Sequence, residues 1–315
     1  MSSVEPLTIG LVGTGNRAQT VYKPLFQFLK PWVKLGAVCD PIKQHADDYA
    51  QEMGVPAFYS LQEMVASDSI EAALVVAPID LHHAMSLYLS EHGIHNLVET
   101  SMCRLLIQAQ EMVQTAADRG VVMRVAENFF RFPFDRIAKL IDKNGFIGPI
   151  SRVTCFQDHT GYHNNSRWIV FYGGYPEAVQ SIEHSMPTVP HFEMAHRYRT
   201  QEVYRARFYF FPDDRLVVDH SGNIKGMLGR YLRPGYTELN GARGTIARSA
   251  MRNFFGEAEV RYCSDEALLD RAVADEIYPI EHISEEGCWA SERVDLPNGR
   301  VEYRNPYRVT SGPLV

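Results

Sequence analysis

The chain has 315 residues, 45% of them apolar and 22% charged, and a formal net charge of −7. This composition is globular rather than disordered, and the length suits two domains. The negative balance lacks the basic stripe of a nucleic-acid binder, and no stretch approaches the roughly 20 apolar residues that cross a bilayer.

Strand and helix signals alternate through the first third. A strand reads from Leu7 to Val12, a helix from Arg17 to Leu29, a strand from Lys34 to Cys39 and a helix from Lys43 to Met53, closed by Gly54. A short strand at Ala57 and Phe58 precedes a helix starting near Leu61. The run within Glu71–Ala77 is apolar throughout, as a strand covered on both faces must be. A helix at Leu81–His92, a strand at Asn96–Glu99 and a helix at Ile107–Arg119 follow. Such alternation predicts a doubly wound parallel sheet over residues 1–125.

The pattern changes after about Arg124. Phe132–Lys143 reads as a helix, and strands then dominate: Ser151–Gln157, Glu202–Phe211, Arg215–Asp219, Gly244–Arg248 and Ala258–Tyr262. In Glu202–Phe211 the alternation of Tyr204, Ala206, Phe208 and Phe210 with Arg205 and Arg207 has the period of two of a half-buried strand. Residues 126–315 are therefore expected to form an α+β domain with an open, mostly antiparallel sheet.

The segment after the first strand carries the chemistry. Gly13, Gly15 and Ala18 form G-x-G-x-x-A between a strand and a helix. The first glycine allows a tight turn, the second lets a diphosphate approach the backbone, and the small third residue lets helix and strand pack. Thr14, Asn16 and Arg17 lie in the same turn, at a helix N-terminus that attracts phosphate. Asp40 ends the second strand, where an acid accepts hydrogen bonds from the adenosine ribose. This favours NAD, with NADP as the alternative because Lys43 and Gln44 follow closely. The five cysteines (Cys39, Cys103, Cys155, Cys263, Cys288) are scattered and form no C-x-x-C pair. They read as reduced thiols of a cytoplasmic protein, and Met1–Thr8 lacks the order of a secretory signal.

With these motifs the sequence resembles the family of glucose–fructose oxidoreductase, inositol dehydrogenase and MocA. The matching segments are Ile9–Ala18, Ala77-Pro78-Ile79-Asp80-Leu81-His82, Ala126-Glu127-Asn128-Phe129-Phe130-Arg131-Phe132 and Gly241-Ala242-Arg243-Gly244-Thr245-Ile246. The resemblance implies a Rossmann domain followed by a substrate-binding and oligomerisation domain. It also implies a sugar, polyol or related small-molecule substrate, and a homodimer or homotetramer paired through the open sheet. It assigns Ala77, Pro78, His82, Glu99, Thr100 and Asn128 to the cofactor, beside the glycine turn and Asp40, and Arg131 to the substrate. The family usually continues into a further helix. No such pattern closes this chain after Asn305, and the expectation is either a shortened second domain or a chain that is part of a longer product.

Two positions depart from the family. Its Glu-Lys-Pro is here Glu99-Thr100-Ser101, so the cation is absent. Its aspartate and histidine, four residues apart after a glycine-rich turn, fall on Gln180 and His184, with Glu183 as the other acid within reach. Hydride transfer from a carbinol requires removal of the hydroxyl proton. Histidine titrates near neutrality, which makes His184 the first candidate for the base and Gln180 a substrate contact. The polar stretch Asp158-His159-Thr160-Gly161-Tyr162-His163-Asn164-Asn165 offers Tyr162 and His163 as alternatives; its other reading is a solvated loop. Trp168, in the aromatic tract Trp168–Tyr175, either stacks on a sugar ring or packs inside a loop. His159, His163, His184, His191 and His196 with Asp158 and Glu183 raise a metal reading, but no metal-ligand spacing appears and none is expected. The leading expectation is an NAD(P)-dependent oxidoreductase acting on a sugar, polyol or derivative. Its alternatives are an NAD-retaining enzyme that cleaves glycosides through transient oxidation, and a non-catalytic nucleotide-binding relative.

Overall fold

The computed structural model describes residues 5–157, 161–193, 197–222, 235–249, 257–285 and 288–305. Asp158, His159, His196 and the chain's last ten residues lie outside them. The chain divides into two units, Met1–Glu127 and Asn128–Val315.

In the first unit, short apolar segments that no side chain keeps in water become central strands, and the helices between them cover both faces. β1 (Leu7–Val12) leads through a π-helical turn, Ala18–Tyr22, into α1 (Lys23–Leu29). β2 (Val33–Cys39), α2 (Lys43–Met53), β3 (Ala57–Phe58), α3 (Leu61–Ala66), β4 (Ala72–Val75), α4 (Ile79–Glu91), β5 (His95–Val98), α5 (Leu106–Asp118) and β6 (Met123–Val125) follow. The strands pair in parallel, in the order β3-β2-β1-β4-β5-β6. All four residues of β4 are buried. The order reverses between β1 and β4, and ligands of such sheets bind in the crevice beyond the carboxyl ends of those strands.

The second unit opens with a single 3-10 turn, Phe129–Arg131, and α6 (Pro133–Asn144). After these come β7 (Arg152–Gln157), α7 (Gly161–Tyr172), β8 (Ala178–Glu193), β9 (Arg197–Phe211), β10 (Arg215–Ser221), β11 (Tyr236–Asn240), β12 (Gly244–Arg248) and β13 (Ala258–Tyr262). A short α8 (Glu266–Leu269) leads to β14 (Glu276–Glu285), β15 (Cys288–Leu296) and β16 (Gly299–Arg304). These ten strands form one sheet in the order β16-β15-β14-β13-β12-β11-β7-β10-β9-β8. Every pairing is antiparallel except that of β7 with β10. Alternate residues such as Val153, Val217, Leu239, Ile246 and Val260 join Phe134, Ile137, Trp168 and Phe171 in the core. Each large side chain buried there contributes about 1.5–3 kcal/mol of transfer free energy. On the other face Phe208, Phe210, Leu216 and Val218 remain partly or fully exposed.

Within the tract read from sequence as a polar loop followed by an aromatic loop, Gly161–Tyr172 form α7 instead. His163, Asn164, Arg167, Trp168 and Phe171 are its buried residues, spaced as one face of a helix. The first three are polar, so hydrophobic periodicity concealed the stripe. The sequence reading also did not identify β8, β11 and β14–β16.

Candidate functional site

Two glycines shape the turn after β1, each in its own way. Gly13 has φ +92°, and a Cβ there would lie 2.5 Å from the carbonyl oxygen of Val76, so only glycine admits this approach of the two loops. Gly15 is exposed, and a Cβ there would meet nothing within 4 Å. The open space lies over the start of the helix, where the Gln19 N–H donates to the Gly15 carbonyl at 3.0 Å. First-turn N–H groups have no helical carbonyl partner and carry partial positive charge. Ala18 is fully buried, which seats the helix on the sheet. Asn16 and Arg17 point outward, both exposed. A cradle without side chains, lined by donors, fits a diphosphate.

Asp40, at the end of β2, is 7% exposed. Its Oδ2 accepts hydrogen bonds from the Thr14 N–H at 2.9 Å and the Thr14 hydroxyl at 3.1 Å, and its Oδ1 accepts one from the Ile42 N–H at 2.9 Å. The carboxylate thus fastens the glycine turn to β2 and keeps acceptor capacity for a further hydroxyl. Lys43, at the start of α2, holds its Nζ 4.7 Å from the centre of the Tyr59 ring.

On the other side of the turn, Glu99 gathers four donors. Arg17 Nε donates to Oε1 at 2.6 Å and the Tyr22 hydroxyl to the same oxygen at 3.0 Å. The Thr100 N–H and hydroxyl donate to Oε2 at 2.5 and 3.0 Å. Burial alone would raise the pKa of Glu99, but the Thr100 N–H, Arg17 and Tyr22 outweigh it and the net direction is down. Burial and the adjacent Glu99 carboxylate push the Tyr22 phenol well up. Tyr22 carried no sequence signal, since it lies 77 positions from Glu99.

His82 is 1% exposed. Its Nδ1 lies 2.9 Å from the carbonyl of Ser101 and its Nε2 lies 2.8 Å from that of Ala77, so it ties the loop after β4 to the loop after β5. A neutral ring donates to one of these carbonyls, and only a protonated ring donates to both. Pro78 is exposed and caps the start of α4.

A family model described as an oxidoreductase family with an NAD-binding Rossmann fold, that of glucose–fructose oxidoreductase, inositol dehydrogenase and MocA, matches residues 7–127. Over this domain the chain is similar to that family. Scyllo-inositol 2-dehydrogenase (NADP(+)) IolU of Bacillus subtilis is 31% identical over 123 residues, 38% of this chain and 37% of that protein. The 2,7-anhydro-N-acetylneuraminate hydratase of Mediterraneibacter gnavus is 26% identical over 145 residues, 45% of this chain and 38% of that protein. These matches span well under half of either relative. The structure of an NAD binding oxidoreductase from Klebsiella pneumoniae aligns with a TM-score of 0.66 at 22% identity, covering 84% of this chain and 77% of that one, a likeness of fold. In this fold the glycine turn and Asp40 lie at the carboxyl ends of β1 and β2. Thr100, the residue expected where the family carries a lysine, donates its hydroxyl to Glu99.

In the second unit the candidate residues gather around α7. His163 is 5% exposed and stacks on Phe129, with ring centroids 3.9 Å apart and planes 8° from parallel. Tyr162 is 36% exposed and leans on His163 at 4.2 Å. Behind them runs a buried polar chain. Arg167 pairs with Asp135 of α6 through two bonds of 2.6 and 2.7 Å and donates to Asn164 at 3.1 Å. Asn164 donates to Asp219 of β10 at 2.9 Å, and Arg207 of β9 reaches Asp219 at 3.3 Å. Burial alone would lower the pKa of Arg167, but Asp135 outweighs it and the net direction is up. Burial raises Asp219. Burial and the charge of Arg167 bring Arg248 down to about 10.

Asn128 precedes the 3-10 turn, its carbonyl accepting from the Arg131 N–H at 2.9 Å. Arg131 is exposed, its guanidinium 5.3 Å from the centre of the Phe130 ring. Trp168, expected as a stacking surface, is 1% exposed in the core beneath the Arg167 guanidinium. The helical period turns it inward, so it offers no face to a sugar. Gln180 and His184 are exposed on the edge strand β8. Four residues along a strand span about 13 Å, so they do not form the close pair that this spacing gives in a helix. Glu183 is ion-paired with Arg205 at 2.5 Å. Among the described residues no three His, Cys, Asp or Glu side chains converge as a metal-binding group, and no helix is long and apolar enough to cross a membrane.

Proposed function

We propose that the protein is an NAD(P)-dependent oxidoreductase that moves a hydride between nicotinamide and a hydroxyl-bearing carbon of a sugar, polyol or derivative. The observation that carries this reading is the glycine turn, open over Gly15 and fastened to Asp40. The bound nicotinamide supplies the hydride acceptor or donor. Gly13, Thr14, Gly15, Asn16 and Arg17 hold the diphosphate, Asp40 takes a ribose hydroxyl, and Ala77, Pro78, His82, Glu99, Thr100 and Asn128 shape the rest of the cofactor site. The similarity to a scyllo-inositol dehydrogenase supports a polyol-like substrate.

For the proton, the reading favours Tyr162 and His163 over His184. Tyr162 combines exposure with a ring contact to a buried histidine on a helix fixed at both Asp135 and Asp219. His184 is solvent-exposed on an edge strand. Arg131, exposed one turn before α6, is the cation proposed for substrate oxygens. The face of the ten-stranded sheet that is left open among the described residues supports pairing of two copies. It exposes Phe210 and holds a cleft of about 670 Å³ lined by Arg152, Tyr236, Glu238, Asn240, Glu259 and Arg261.

The test is incubation with NAD or NADP and a panel of cyclitols, aldoses and polyols, reading absorbance of the reduced nucleotide. Turnover of at least one compound is expected, and Tyr162→Phe should lower kcat about 10²–10⁴-fold. Folded protein that binds neither nucleotide, or that shows no turnover in either direction, overturns the proposal. Substrate conversion with no net reduced nucleotide points instead to transient oxidation.

A further inference from the structure

We infer that β8, the outer strand of the ten-stranded sheet, pairs with β8 of a second copy of this chain, antiparallel about a two-fold axis at Ile182. The contact is edge to edge, on a surface other than the open face, and it joins two sheets into one. It is independent of the NAD(P) reading.

A strand at the rim of a sheet presents a row of backbone N–H and C=O groups without ladder partners. Soluble proteins protect such rims by shortness, charge, proline, bulges or cover. Among the described residues the two sheets have four rims. β3 has two residues and β6 has three. β16 carries Arg300, Glu302 and Arg304 at alternate positions of its six residues. β8 has sixteen residues and pairs with β9 alone. From Ala178 to Met186 it carries no lysine, proline or bulge, and its one charged side chain, Glu183, is held by Arg205 of its own chain. Among the described residues nothing covers it either. Ala178 to Ser185 are all exposed, with Val179 at 55% and Ile182 at 57% on opposite faces.

The run is self-complementary, which is why the partner assigned to it is a second copy. Pro176 precedes it and Pro187 ends it, and the register with β9 shifts after Pro187. Only alternate residues turn their backbone groups outward, so an antiparallel self-pairing must centre on a residue. The longest pairings that fit between the two prolines centre on Ser181 or on Ile182. A centre at Ser181 sets Gln180 against Ile182 and Glu183 against Val179. A centre at Ile182 sets that residue against itself, Gln180 against His184, Ser181 against Glu183 and Val179 against Ser185. The second arrangement has an apolar pair at the axis and hydrogen-bonding pairs beside it, the cross-strand partners that stabilise a ladder. It brings no two like charges together. It also carries Val189, 65% exposed, toward Tyr175 of the second copy, at 77% the most exposed large apolar side chain among the described residues. The axis stands perpendicular to the sheet, so both open faces stay on one side and keep their own surface for pairing.

The test is sedimentation velocity of the full chain over a concentration series, beside its Ile182→Lys and Phe210→Lys variants. Wild type should self-associate. Ile182→Lys, which sets two ammonium groups face to face at the axis, should weaken that association about 10-fold or more. Cysteine linking gives a second readout and decides alone if the lysine variant fails to fold. Under mild oxidation Ile182→Cys should join two chains, because facing Cβ atoms lie about 5 Å apart. Val179→Cys should not exceed the wild-type background, since its two copies lie about 20 Å apart along the strands. Association that is lost in Phe210→Lys, on the open face, but unchanged in Ile182→Lys overturns the inference. So does a wild type that is monomeric at every concentration, equal linking of the two cysteine variants, or an edge occupied by a different co-purifying protein.

Discussion

The two glycines of the turn allow one substitution to be tested against two readouts. Gly13→Ala places a methyl at φ +92°, 2.5 Å from the Val76 carbonyl oxygen. The dihedral costs about 1–3 kcal/mol, and moving the loop after β4 aside costs a comparable amount as overpacking. The sum is about 2–5 kcal/mol, which for a unit of this size lowers Tm by about 10 °C or more. Gly15→Ala meets no atom within 4 Å, so its melt should match wild type. On the proposed function, the Gly15→Ala methyl instead stands in the diphosphate cradle. Loss of one or two charge-assisted hydrogen bonds, at about 1.5–3 kcal/mol each, weakens NAD at least about 10-fold. Differential scanning calorimetry and NAD titration on both variants read the two effects. A Gly15→Ala protein that binds NAD as wild type does would refute the assignment of this space to the dinucleotide. A Gly13→Ala protein that melts with wild type would refute the steric argument.

Two further outcomes follow from buried charge. Asp135→Ala leaves the Arg167 guanidinium, 2% exposed, without its carboxylate, at a cost of about 3–5 kcal/mol. Denaturant melts followed by tryptophan fluorescence should show that loss, and a change below about 1 kcal/mol would contradict the role given to the pair. The pKa of Glu99 is lowered from its ordinary 4.5. Its stabilisation is therefore complete above that value and is lost as pH falls through the folded value beneath it. Glu99→Gln should remove this part of the acid-side decline in Tm; unchanged slopes in the two proteins would exclude it.

The features legible in the sequence are those that depend on neighbours along the chain. Gly13, Gly15 and Ala18 lie within one turn, and the continuous apolar run at β4 declares a strand covered on both faces. Asp40 was legible because a strand ending in an acid follows the glycine turn at the spacing of one crossover. Alternation of strand and helix limited the first unit to a doubly wound sheet, because right-handed crossovers leave few other arrangements. The hydrophobic pattern misled at α7 for a physical reason. Its buried face is built from His163, Asn164 and Arg167, whose burial is compensated by partners on other elements rather than by apolarity.

By itself the sequence determined that this chain holds a dinucleotide fold and where its glycine turn lies, since backbone conformation there depends on residues a few positions apart. Only the tertiary structure decided the rest. Arg17 meets Glu99, 82 positions away, Arg167 meets Asp135, 32 positions away, Trp168 turns into the core, and Gln180 and His184 lie apart on a strand. The partner of a charged side chain is set by which strands lie side by side. That order is fixed by burial summed over the whole sheet, a quantity no local stretch of sequence contains.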